Sequence, residues 1–146
     1  MSGSFEAQET VGGDKVMKMT TAADVMTTNV ITVRKDELLT QVIALLLRWH
    51  ISGLPVVDDD GTLAGIISEH DVMNMAFGGN AADTRVEEAM STKVISFPPD
   101  ASLADLVQSF SSRRLRRVPI VENGKLVGIV SRRDILREML RRYERY

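Results

Sequence analysis

A long stretch of this chain is written twice, and that duplication constrains the fold more than any single motif, because whatever the first copy forms the second must form too. "GIISEHD" at residues 65–71 returns as "GIVSRRD" at 128–134. Met26 answers to Met90, Val30-Ile31 to Val94-Ile95 and Pro55 to Pro119. The prolines stand 64 residues apart, whereas Gly65 and Gly128 stand 63 apart, so one residue is lost between "VVDDDG" and "IVENG". Two copies fill nearly everything from Thr20 onward, with the glycine-paired "AFGGNAADTR" between them as a linker.

Each copy is expected to run strand, helix, strand, turn, strand, helix. Val30–Val33 and Val94–Phe97 are short β-branched or aromatic runs, which favour strands. Leu103, Leu106, Val107 and Phe110 fall at i, i+3, i+4 and i+7, one face of a helix. The counterpart, Leu38 to His50, carries more apolar residues than one face requires, so part of it is expected to meet another unit or another chain. "LPVVDDDGTLAGIIS" and "VPIVENGKLVGIVS" have the pattern of hairpins turning at Asp60-Gly61 and Asn123-Gly124. The triple Asp58–Asp60 is read as turn chemistry, since it lacks the further oxygen ligands of a calcium loop. In the last helix, Arg132–Tyr143, a stripe of Ile135, Leu136, Met139, Leu140 and Tyr143 is expected to dock.

Composition narrows the class. The 146 residues are 44% hydrophobic and 26% charged, which is globular, and there is no cysteine to make a disulfide or a thiolate metal site. A cytoplasmic location is the default expectation, and no run approaches the apolar length of a membrane span. "MSGSFEAQETVGGDKVMKM" has no signal-peptide core and is read as a loose leader, 1–19. The net charge of −2 hides a basic end, with eleven Arg and Lys against four acids from Arg113 onward. A solvated helix face explains this better than nucleic acid, which calls for a wider positive surface with aromatics. Catalysis finds little support: His50 and His70 lack metal or acid–base spacing, and no Walker loop is present. No catalytic residue and no metal ligand is therefore assigned.

The duplicated heptapeptide admits two readings from its residues. Ser68 and Ser131, at strand-to-helix junctions, can cap a helix whose first N–H groups attract an anion, with Asp71 and Asp134 one turn in. A carboxylate there can equally accept both hydroxyls of a ribose. Gly65 and Gly128 leave room beside the strand for a ligand, or serve close strand packing.

A tandem pair of such β-α-β-β-α units, each carrying "GLPVVD…G…GIIS..D" or its equivalent, resembles the CBS domain (cystathionine-β-synthase domain), and the pair resembles a Bateman module. The resemblance implies an α/β (α+β) fold of two pseudo-symmetric repeats packed as one module, with repeat 1 at 20–76, a linker at 77–85, repeat 2 at 86–142 and a tail at 143–146. It implies a stand-alone regulatory protein, not an enzyme, that binds AMP, ADP or ATP, or NAD(H) or S-adenosylmethionine, in clefts between the repeats and signals occupancy by a change of shape. Ser131 and Asp134 would hold ribose with an adenine wall of Met26, Ile31 and Ile51; Ser68 and Asp71 would pair with Met90, Ile95 and Leu115. The resemblance also implies a homodimer and a regulated protein that the sequence does not identify. The alternative is a structural or protein-interaction module with empty clefts; an Arg-rich nucleic-acid binder ranks third.

The two motifs are not equivalent. Arg117 aligns with Gly53, and Arg132-Arg133 with Glu69-His70, so the second motif is expected to be the better phosphate site. His70 is either a phosphate contact or a solvent-facing residue of the first helical turn. The first motif is expected to prefer a neutral or cationic adenosyl group, or to stay empty.

Overall fold

The structure, a computed structural model, describes residues 20–78 and 80–144, the side chains of 76–78 excepted. The expected leader 1–19 lies outside the described residues. In chain order the elements are α1 (Ala22–Val25), β1 (Val33–Arg34), α2 (Leu39–Trp49), β2 (Gly53–Val57), β3 (Leu63–Ser68), α3 (Glu69–Gly78), α4 (Val86–Ala89), α5 (Leu103–Arg113), β4 (Arg117–Glu122), β5 (Lys125–Ser131) and α6 (Arg132–Tyr143). Helices and strands are interspersed in a mixed α/β arrangement, with a helix–hairpin–helix run in each copy.

The chain forms two compact units, and these are not the two sequence copies. One gathers residues 20–28, Ser96–Glu122 and 127–144; the other gathers Asn29–Ile95 and Asn123–Leu126. Each unit thus takes its opening helical turn from the other copy, held by backbone bonds that repeat at the 64-residue spacing. In the first unit Ala22 N–H donates to the Ala101 carbonyl at 2.8 Å and Leu103 N–H to Thr20 at 2.8 Å; in the second, Val86 N–H donates to Glu37 at 2.8 Å and Leu39 N–H to Thr84 at 3.0 Å. These one-turn helices were not read from periodicity, being too short to show one. Their signal was the spacing of Thr21 to Asp24, whose carboxylate accepts the Thr21 N–H at 2.8 Å, and of Arg85 to Glu88, whose carboxylate accepts the Arg85 N–H at 2.7 Å.

In the second unit β1 runs parallel to β2, which runs antiparallel to β3. The strand expected over Val30–Val33 is shorter and shifted, since only Val33–Arg34 pairs. Its counterpart over Val94–Phe97 contracts to one parallel bridge between Phe97 and Ile120. Short strands suffice because most of each core lies between helix and hairpin, with Val33 of β1 joining it in the second unit. Leu39, Val42, Leu46, Leu54, Val56, Ile67 and Val72 are buried in one unit; Leu103, Leu106, Phe110, Val118, Ile120, Val130 and Ile135, at the equivalent positions, are buried in the other.

The missing residue falls in a turn. Gly61 N–H closes on the Asp58 carbonyl at 2.9 Å with Gly61 at φ +88°, a three-residue loop ending in a left-handed glycine. In the second copy Asn123 (φ 53°) and Gly124 (φ 80°) are both left-handed, the two-residue type I′ form. The change from 64 to 63 is thus the exchange of one hairpin loop for another, with the alternation of the flanking strands preserved.

The expected docking stripe of α6 is half wrong. Ile135 is buried and Met139 half-buried, but Leu136, Leu140 and Tyr143 are exposed. The face turned inward instead includes Glu138 and Arg142, because an ion pair satisfies them there. On α2 the excess noted in the sequence is visible as exposed Leu47 and Trp49 beside buried Leu39, Val42 and Leu46.

Candidate functional site

Each hairpin delivers its chain directly into a helix, and the serine at that junction adopts an extended backbone before the first helical turn. Ser131 is the N-cap of α6: its Oγ accepts the Asp134 N–H at 3.2 Å, while Oδ2 of Asp134 accepts the Ser131 N–H at 2.8 Å. In the other unit Asp71 N–H donates to Ser68 Oγ at 3.2 Å, and Oδ2 of Asp71 accepts both the N–H and the hydroxyl of Ser68 at 2.9 Å. Both heptapeptides therefore form the reciprocal cap, with an aspartate where glutamate is commoner. The cap reading holds in both copies, and each carboxylate is fixed at the positive end of its helix.

The glycines serve packing. A Cβ on Gly65 would meet the Ser91 carbonyl oxygen at 2.5 Å and Met90 Sδ at 3.2 Å. A Cβ on Gly128 would meet Met26 Sδ at 2.4 Å and the Thr27 carbonyl at 3.1 Å. The edge segments are drawn in by paired backbone bonds, Ile66 with Ser91 at 2.9 and 2.8 Å and Ile129 with Thr27 at 2.9 Å in each direction. The room foreseen for a ligand beside these strands is filled by methionine and backbone.

The structure brings some expected site residues together within a unit. Met26, Ser131 and Asp134 share one unit with Arg117, Arg132, Arg133 and Leu115; Ser68, His70, Asp71, Met90 and Ile95 share the other with Ile31 and Ile51. Ile31, Ile51 and Met90 are half-buried against the core of their own unit. Arg132 N–H donates to the Arg116 carbonyl at 3.0 Å, which seats the start of α6 beside the residue preceding β4; Glu69 and Ser52 make the equivalent bond at 2.9 Å. Arg132 and Arg133 are exposed and Arg117 is half-buried. His70 is exposed, with Nε2 facing the Asn74 amide at 3.3 Å.

Sequence reasoning missed Arg137. Its Nη1 donates to Oδ1 of Asp134 at 3.0 Å, and the position one turn beyond an N-terminal aspartate was the available signal.

The Asp58–Asp60 triplet behaves as turn and ion-pair chemistry. Asp58 pairs with Lys35 at 2.9 Å, Asp59 pairs with Arg34, and Asp60 accepts the Thr62 N–H at 3.1 Å. That bond, with a second from Thr62, outweighs partial desolvation and holds the Asp60 carboxyl below its ordinary value. An open cleft of about 490 Å³ lies over these residues, lined also by Asp36, Val57 and Glu87. Among the described residues no group of three His, Asp or Glu could hold a metal, and no helix is long and apolar enough to cross a membrane.

Comparison with known proteins agrees with this duplicated architecture. The CBS domain family matches twice, at residues 22–78 and 86–141. The CBS domain-containing protein YhcV of Bacillus subtilis is 34% identical over 118 residues, 80% of this chain and 84% of its own length. Inosine-5'-monophosphate dehydrogenase of Halobacterium salinarum is 37% identical over 109 residues, 74% of this chain but only 21% of the enzyme. Among solved structures, CBSX2 in complex with AMP superposes with a TM-score of 0.78 at 27% identity, covering 85% of this chain and 98% of that one. The CBS domain pair of MJ0100, in complex with 5'-methylthioadenosine and S-adenosyl-L-methionine, gives 0.74 at 28%, with the same coverages. With two consecutive matches spanning most of its length, the chain belongs to the CBS domain family.

Proposed function

We propose that this protein is a regulatory CBS pair that binds an adenosyl compound through its two serine–aspartate motifs and signals occupancy by a change of shape or association. The observation that carries the reading is the duplicated cap. Two carboxylates are fixed at equivalent helix N-termini, in a chain whose structural relatives hold AMP, or methylthioadenosine and S-adenosylmethionine. A carboxylate so placed accepts the two hydroxyls of a ribose. Adenine would lie against the apolar residues Met26, Ile31 and Ile51 or Met90, Ile95 and Leu115, and phosphate against Arg117, Arg132 and Arg133, with His70 the weaker candidate in the other motif. The protein acts in this reading as a sensor for another protein, as a homodimer in the cytoplasm, and catalyses nothing itself.

One observation favours the competing reading of a ligand-free interaction module: the space beside Gly65 and Gly128 is filled by Met90 and Met26. Calorimetry with AMP, ADP, ATP, NAD(H) and S-adenosylmethionine separates the two. Saturable heat that disappears in an Asp71→Asn, Asp134→Asn double variant supports the sensor; silence across the panel at millimolar ligand supports the module.

A further inference from the structure

The two motifs share a fold but not a partner at the second carboxylate oxygen. In both, Oδ2 accepts the serine N–H of the cap, and at Asp71 the Ser68 hydroxyl as well. Oδ1 of Asp134 is bound by the Arg137 guanidinium at 3.0 Å, and the Asp134 side chain is left only 10% exposed. The residue at the equivalent place on α3 is Asn74, whose amide turns to His70 instead. Oδ1 of Asp71 receives no hydrogen bond among the described residues.

We propose that Arg137 is a specificity-determining residue that closes the second motif to uncharged nucleosides and leaves Asp71 as the site for adenosyl groups that carry no phosphate. The proposal rests on the adenosyl reading given above. A ribose offers two neutral hydroxyl donors, and one free carboxylate oxygen has the lone pairs to accept both. At Asp71 the diol replaces water. At Asp134 it must compete for Oδ1 with a charged donor, and hydrogen bonds from an ionised donor are the stronger. Phosphate binding by Arg117, Arg132 and Arg133 is a separate contribution, so the distinction is cleanest with a ligand that lacks phosphate.

Adenosine titrated calorimetrically into the wild type and into single-residue variants tests this. Asp71→Asn should remove most of the adenosine heat, and Asp134→Asn little of it. In the Asp71→Asn background, Arg137→Asn should tighten the remaining binding by about three- to tenfold, and Asn74→Arg in the wild type should weaken adenosine by a similar factor. Asn74 and Arg137 are exposed, so each variant should melt within about 4 °C of its parent, whereas damage to the fold would move it further. An Arg137→Asn variant with unaltered affinity, or adenosine binding that depends on Asp134 more than on Asp71, overturns the proposal while leaving the adenosyl reading intact. Silence of every variant toward adenosine and nucleotides alike overturns both.

Discussion

The guanidinium of Arg142 donates to Oγ1 of Thr20 at 2.7 Å, across 122 residues of sequence. The same side chain reaches Glu138 at 3.3 Å, and Arg141 meets both Glu138 oxygens at 2.8 and 2.9 Å. The last helix therefore holds the segment that enters the first helical turn. Burial pushes the Glu138 carboxyl up, but the hydrogen bonds and charges of Arg141 and Arg142 outweigh it and hold the group below its ordinary 4.5. A carboxyl depressed in the folded state stabilises fully above its unfolded value and loses that contribution as pH falls through the folded one. Glu138→Gln should cost about 1 kcal/mol at neutral pH. Urea titrations of variant and wild type should converge on the acid side of pH 4.5. A difference that persists in acid would show that packing, not charge, is responsible.

Two pairs of glycines should respond differently to alanine. At Gly61 and Gly124 nothing lies within 4 Å of an added Cβ, so only the left-handed backbone resists, at about 1–2 kcal/mol each. At Gly65 the obstacle is a backbone carbonyl that cannot rotate away, and the cost should approach about 3 kcal/mol. Gly128→Ala should be milder than Gly65→Ala, because its nearest obstacle is the flexible Met26 thioether. Equilibrium unfolding of the four variants gives the order directly, and Gly128→Ala as the costliest would contradict it.

The fold was legible where a pattern had length. The helix faces of Leu103, Leu106 and Phe110 and the hairpin turns are local periodicities and turn residues, and the duplication checked each against its copy. The one-turn helices and their exchange between units were not legible, because the bonds that fix them, such as Ala22 to Ala101, join residues far apart in sequence. At the candidate site the Ser–Asp cap could be read from spacing. The use of Gly65 and Gly128 could not, since a glycine reports a close approach without naming what approaches. The outward turn of Leu136, Leu140 and Tyr143 was misread because a polar pair, Glu138 with Arg142, competes successfully for the inner face.

Arg117 opens β4 where Gly53 opens β2, and this substitution should separate nucleotides from nucleosides. If its guanidinium meets a phosphate, Arg117→Ala should weaken AMP by about 1.5–3 kcal/mol, the worth of a charged hydrogen bond, and adenosine much less. Competition calorimetry with the two ligands measures the difference. Equal losses would assign Arg117 to the fold and not to phosphate.

The exposed apolar residues should govern association and not folding. Leu136 is 62% exposed and Tyr143 75% on α6, as Leu47 is 72% on α2, whereas Ile135 beside them is 5% exposed. Aliphatic and aromatic side chains so arranged on helix faces gain free energy only when something covers them, and a second copy supplies a matching face at no cost in sequence. Leu136→Lys should leave the unfolding free energy of the protomer within about 0.5 kcal/mol, because the side chain already stands in water. Ile135→Ala should cost about 2–4 kcal/mol by leaving a cavity. Sedimentation velocity at micromolar protein should show a dimer for the wild type and a shift toward the 16.2 kDa protomer for Leu136→Lys. A wild type that sediments as a protomer with or without adenosine and AMP would refute self-association through these faces. A Leu136→Lys variant that stays dimeric but unfolds readily would place the residue in the core after all.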